Sequence, residues 1–152
     1  MPAAQKTKDS GKEDPVKEIT VEARTESIPV VTDFVNEQLE AIGCPIKAQM
    51  QIDVAIDELF ANIALYAYET QKGTATVQVE TVSDPPSVAV TFIDSGIPFD
   101  PLTKEDPDTT LSAGERQVGG LGIFLVKKTM DEVTYRYEDG KNILQIRKNL
   151  TV

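Results

Sequence analysis

The chain has 152 residues, 40% of them apolar, which is enough for one domain with a substantial core. Its balance is acidic, 25 Asp plus Glu against 15 Lys plus Arg, so a basic face gripping a phosphate backbone is not expected and direct nucleic-acid binding is set aside. With no histidine and a single cysteine, Cys44, the usual zinc sites, Ser-His or Cys-His catalytic pairs and an internal disulfide are excluded. Any chemistry must rest on carboxylates, amides, hydroxyls, lysines and backbone groups.

Residues 1–15 mix Lys, Asp, Ser, Gly and Pro with no large aliphatic residue after Met1, and they are expected to form a mobile tail. No run is apolar enough for a membrane span or a signal peptide, so a cytoplasmic protein without membrane contact is expected. EITVEAR alternates Ile19, Val21 and Ala23 with polar neighbours and reads as a half-buried strand. Ser27 is placed to cap a helix carrying Val31, Phe34, Val35, Leu39 and Ile42 on one side and stopping at Gly43. Pro45 suits the first turn of a second helix from Ile46 to Glu69.

TATVQVETV and SVAVTFID read as strands joined by a DPP turn. Residues 95–118 have little periodicity, and a loop that long in a compact domain is usually a functional lid or disordered. GGLGIFLVKKTM reads as a glycine-led third helix with Leu121, Phe124 and Leu125 at helical spacing, and VTYRYE, Asp139-Gly140 and NILQIRK as a closing hairpin. The order implies an α+β two-layer sandwich: a mixed, mostly antiparallel sheet with about three helices on one face, in a single domain over 16–152.

Three pieces carry candidate chemistry. On a wheel of about 100° per residue, the second helix puts Ile52, Ile56, Leu59, Phe60, Ile63 and Ala67 in a core stripe and Asp53 and Asp57 on a solvated flank. Glu58 and Asn62 fall on the far side, among Val54, Ala55, Leu65 and Tyr66. A carboxylate on an apolar wall is costly unless a ligand meets it, and one carboxylate with one amide at i, i+4 suits a magnesium ion carrying phosphates. Asp94 closes a strand with Gly96 two residues on, placing an acceptor for an exocyclic amine beside a backbone that a flat ring can approach. Gly119, Gly120 and Gly122 lead a helix whose first amides suit phosphate, with Arg116, Lys127 and Lys128 as nearby charges. A solvent-facing pair, a common turn and a hinge are the plain alternatives for each piece alone.

Together ELFAN at 58–62, DSGIPFDP at 94–101 and GGLG at 119–122 resemble the N, G1 and G2 boxes of the GHKL (Bergerat-fold) ATPase/kinase superfamily over residues 17–148. Within it the chain looks most like small anti-sigma factor serine/threonine kinases of the RsbW and SpoIIAB type. The resemblance implies ATP and Mg2+ as cofactors and Glu58 as the catalytic carboxylate. It implies Asn62 as the metal residue and Asp94 and Gly96 as the adenine site. It implies phosphate contacts along Gly119, Gly120, Leu121 and Gly122, Arg116 as a nucleotide contact, and an ATP lid at about 99–118.

The partners implied are a sigma factor and an antagonist of it, a small STAS-type protein phosphorylated on Ser or Thr, with a homodimer as the form relatives suggest. Tyr66 stands where many relatives have histidine, and Gln117 and Val118 stand where some have arginine. A nucleotide-holding partner-switching module without turnover is the alternative. A detached histidine-kinase domain and an autonomous ATPase are further rivals.

Overall fold

The computed structural model describes residues 16–68, 72–103 and 120–151, with Gly120 and Leu121 described by backbone alone. The expected tail, Glu69 at the expected helix end, most of the expected lid, Arg116 and Gly119 lie outside the described residues.

Strand β1 (Lys17–Glu22) is followed by helices α1 (Ile28–Ala41) and α2 (Ile46–Tyr66), the hairpin β2 (Thr74–Ser83) and β3 (Pro86–Asp94), helix α3 (Gly120–Thr129), and the hairpin β4 (Glu132–Glu138) and β5 (Lys141–Asn149). The sheet runs β1-β2-β3-β5-β4 and each of its four pairings is antiparallel. The expected two-layer α+β fold is therefore present, with the sheet antiparallel throughout.

Local chemistry explains the boundaries. Gly43 ends α1 at φ 70°, and the amides of Gly43 and Cys44 return to the carbonyls of Glu40 and Leu39, the bond pattern of a glycine-terminated helix. Pro45 is not inside the first turn of α2 but caps it in extended conformation, its carbonyl receiving Gln49 N. Asp139 and Gly140, both at positive φ, make the tight β4–β5 turn.

One core lies between the layers. Val31, Val35 and Leu39 of α1 meet Ile52, Ile56, Leu59 and Phe60 of α2. Below them run Val77 and Val79, Val88, Val90 and Phe92, and Leu144 and Ile146 of β2, β3 and β5. Ile52, Ile56 and Phe60 are fully covered, and each such side chain contributes about 1.5–3 kcal/mol. In α3 the inward residues are Ile123 and Val126, with Met130 just beyond. Leu125 is exposed, and Phe124 is half-buried beneath the Lys128 ammonium, 5.4 Å from its ring centre. No helix among the described residues is long and apolar enough to cross a membrane.

Candidate nucleotide site

Alternation along β3 carries Val88, Val90, Phe92 and then Asp94 onto the helix-facing side of the sheet. Asp94 therefore ends a core stripe as a carboxylate that is only 6% exposed. It lines a narrow cavity of about 40 Å³ together with Leu59, Asn62 and Ile63 of α2, Phe92 and Leu144 of the sheet, and Ile97 and Phe99 of the loop after β3. That space holds water rather than a purine, so a base would enter by moving the loop side chains.

The Asp94 end is densely wired. Oδ1 of Asp94 accepts from Gly96 N and from Asn142 Nδ2, both at 2.9 Å. Asn142 sits opposite Asp94 in the β3–β5 register and is equally buried. Its Nδ2 also donates to Ile97 O at 2.8 Å, while its Oδ1 accepts from Phe99 N at 3.0 Å and from the Tyr135 hydroxyl. On the other side, the Tyr68 hydroxyl donates to Thr74 O and accepts from Ser95 N, each at 2.7 Å. Burial pushes both phenols above the ordinary tyrosine range, which keeps them protonated.

Gly96 has a structural cause distinct from ring approach. A Cβ there would collide with the backbone carbonyl of Ala67, because the loop closes onto the end of α2 and Ile97 N donates to Ala67 O at 2.9 Å. Tyr66, one residue earlier, packs its ring against Phe99 at 5.8 Å between centres.

Glu58 and Asn62 lie beside the core rather than opposite it. Ala55, grouped with them by the wheel, is fully buried, so the buried arc of α2 reaches the edge of the polar pair, and both Glu58 and Asn62 are half-buried. Val54, Leu65 and Tyr66 are the exposed members of that group. Asp53 departs from the expected solvated flank. It is half-buried, with Oδ1 covered and unpaired, and burial pushes its carboxyl up, partly offset by a hydrogen bond from Asn36.

Asn62 reaches the cavity, whereas Glu58 is outside its lining and faces α3. The space that a Cβ of Gly122 would need is occupied by the Glu58 carboxylate. A carboxylate against the first turn of a helix is favoured by the partial positive charge there. Lys127 and Lys128 belong to the last turn of α3, about 10 Å from Gly120 at 1.5 Å per residue.

The structure thus brings Asn62 and Asp94 to one cavity, with Gly96 in the loop beside it, and sets Glu58 against Gly122 at its flank. The donors on α2 are an amide oxygen and a carboxylate, which fit a magnesium ion that takes its other ligands from water and phosphate. An acceptor at the end of an apolar slot fits an aminopurine. Among the described residues there is no group of three or more His, Cys, Asp or Glu side chains that could hold a metal ion.

Sequence reading passed over Asn142, Tyr68 and Tyr135. A signal for the first existed: Asn142, Leu144 and Ile146 alternate, so the asparagine holds a core-facing position.

The histidine kinase-like ATPase domain model matches residues 21–148. The chain belongs to that family. Relatives include the serine-protein kinase RsbW of Listeria innocua, 27% identical over 110 residues covering 69% of each chain. RsbW of Halalkalibacterium halodurans is 28% identical over 127 residues, 81% of this chain and 76% of that one. The crystal structure of the RsbU and RsbW domains of Rv1364c from Mycobacterium tuberculosis superposes with a TM-score of 0.64 at 20% identity. The match covers 90% of this chain and 33% of that one and shows the same fold. The resemblance of this histidine kinase-like ATPase domain to RsbW-type GHKL kinases, expected from three short boxes, is met by family, relatives and fold.

Proposed function

We propose that the chain is a cytoplasmic serine/threonine protein kinase that uses ATP and Mg2+ to phosphorylate a small STAS-type anti-sigma factor antagonist, and that it sequesters a sigma factor through another surface. The observation carrying this reading is the buried carboxylate of Asp94 facing an apolar slot whose wall continues through Asn62 to Glu58 and the first turn of α3.

In this reading Asp94 accepts a hydrogen bond from the adenine amine, while Leu59, Ile63, Phe92 and Leu144 exclude water from the ring. Asn62 and the first amides of α3 hold the phosphate end, and Gly120, Leu121 and Gly122 present those amides. A magnesium ion, when bound, would neutralise phosphate charge, with Asn62 Oδ1 among its ligands. Glu58 accepts the proton of the attacking Ser or Thr hydroxyl, and the γ-phosphoryl group passes to that oxygen as the bond to the β-phosphate breaks. Arg116 and Gly119 complete the nucleotide contacts, and the segment around 99–118 is the lid. RsbW relatives named as serine-protein kinases support the choice of acceptor.

Transfer of label from γ-labelled ATP to a candidate antagonist tests this. Glu58→Ala is expected to keep ATP affinity and to lose transfer by about 10²–10⁴-fold. Wild-type transfer by that variant would contradict the assignment. The packing of Glu58 on Gly122, outside the cavity lining, favours a second reading, a nucleotide-dependent partner switch without turnover. That reading predicts ATP-dependent antagonist binding with no label transferred.

A further inference from the structure

Asn142 uses its whole hydrogen-bonding capacity: two donated bonds, to Asp94 Oδ1 and Ile97 O, and two accepted ones, from Phe99 N and the Tyr135 hydroxyl. The partners dictate which way the amide points, since a peptide carbonyl only accepts and a peptide N–H only donates. Its position continues the core-facing stripe of Leu144 and Ile146, where an aliphatic side chain would pack without any need for partners. A fully satisfied buried amide at such a place is expensive to build, and it fixes three things at once: the strand end, the loop from Ile97 to Phe99, and the Asp94 carboxylate.

We infer that Asn142 is a specificity-determining positioning residue, which clamps Asp94 as a pure acceptor and so makes the cavity select a 6-aminopurine over a 6-oxopurine. This rests on the reading of Asp94 as the adenine contact. With Gly96 N and Asn142 Nδ2 both on Oδ1, Oδ2 is the oxygen that turns to a ligand. An amine edge donates to it, whereas a carbonyl edge meets it lone pair to lone pair. Tyr135 and Phe99 act on the clamp from behind: their two hydrogens hold Asn142 Oδ1 away from Asp94, so the amide cannot flip and present an oxygen to the carboxylate. The same bonds tie the loop, so the base contact and the start of the loop are held by one side chain.

The experiment measures ATP and GTP affinity by calorimetry for wild type, Asn142→Asp, Tyr135→Phe and Asp94→Asn, with circular dichroism as the check on folding. Asn142→Asp keeps the accepting oxygen for Phe99 and Tyr135 and replaces the donating nitrogen with a second carboxylate oxygen. The wild type is expected to prefer ATP strongly. Asn142→Asp should lower the ATP to GTP affinity ratio at least about tenfold, the loss of one hydrogen bond to a charged group. Tyr135→Phe should lower it by about threefold, a neutral bond lost one step removed, and it decides the matter if Asn142→Asp does not fold. A purely structural role would reduce stability and leave the ratio unchanged. A preference for ATP that Asp94→Asn abolishes, but that the folded Asn142 and Tyr135 variants retain, overturns the clamp alone. Absence of ATP binding by the wild type, or unchanged ATP affinity in Asp94→Asn, overturns the adenine reading and the clamp with it.

Discussion

The two ends of the candidate site share the seam between α2 and the sheet but are built differently. At Asp94 the geometry comes from strand register: Asp94 faces Asn142 across a β-ladder, and Asn142, braced by Tyr135 of β4, holds the loop from one side while Tyr68, just beyond α2, holds it from the other. At Glu58 and Asn62 the geometry comes from the surface of one helix and from how closely α3 lies on it, a spacing that a single absent methyl at Gly122 permits. The contrast teaches that the polar groups around Asp94 are fixed by the fold itself, whereas the setting of Glu58 depends on where a helix terminus sits.

The largest effect is expected from breaking the first end. Gly96→Val would drive its Cβ into the backbone of Ala67, which has no flexible side chain to yield. Chemical denaturation should show a loss of about 2–4 kcal/mol, in the range of severe overpacking, and ATP affinity should fall with it. A variant as stable as wild type would show that the loop does not close on α2 as described.

A more discriminating effect is expected at the second end. Gly122→Ala places its methyl where the Glu58 carboxylate lies, and that carboxylate can swing aside. Replacing a helical glycine with alanine gains up to about 1 kcal/mol of helix propensity, so stability should hold or rise. If Glu58 is the base proposed above, phosphotransfer should nevertheless fall about tenfold, the cost of displacing such a group, while ATP affinity changes little. Unchanged transfer would sever the link between Gly122 and Glu58.

The smallest effect serves as a control away from both ends. Burial raises the Asp53 carboxyl above its unfolded value, so its ionised form disfavours folding at neutral pH. Asp53→Asn should raise the melting temperature at pH 7, and the gain should shrink as pH falls through the folded Asp53 titration toward the ordinary carboxylate range. Nucleotide affinity should stay as in wild type. A melting temperature lowered at pH 7 would contradict the sign of that effect.

Much of this was legible in the sequence, for identifiable reasons. The strands were readable because Val77 and Val79, and Val88, Val90 and Phe92, alternate cleanly, and the same alternation delivers Asp94 to the core side. The polar pair on α2 was readable as a pair but not in its setting. A wheel weighted by large aliphatic and aromatic residues overlooks Ala48 and Ala55, whose small size lets α2 come close to its neighbours and widens the buried arc toward Glu58. The buried face of α3 is not readable from the sequence, because four consecutive apolar residues, Ile123 to Val126, fit more than one helical face until packing selects Ile123 and Val126. Alternation puts Asn142 at the core-facing start of the NILQIRK strand but does not say what it bonds. Only the register that sets it against Asp94 reveals its work.

The claim on which the rest depends is that Asp94 and the Asn62–Glu58 face serve one and the same nucleotide. Calorimetric titration of wild type, Asp94→Ala and Asn62→Ala with adenosine and with ATP plus Mg2+ tests it most directly. Asp94→Ala should lose affinity for both ligands, and Asn62→Ala should lose only the magnesium-dependent affinity for ATP while binding adenosine as wild type does. ATP affinity untouched by Asp94→Ala, or adenosine affinity lost in Asn62→Ala, would contradict it.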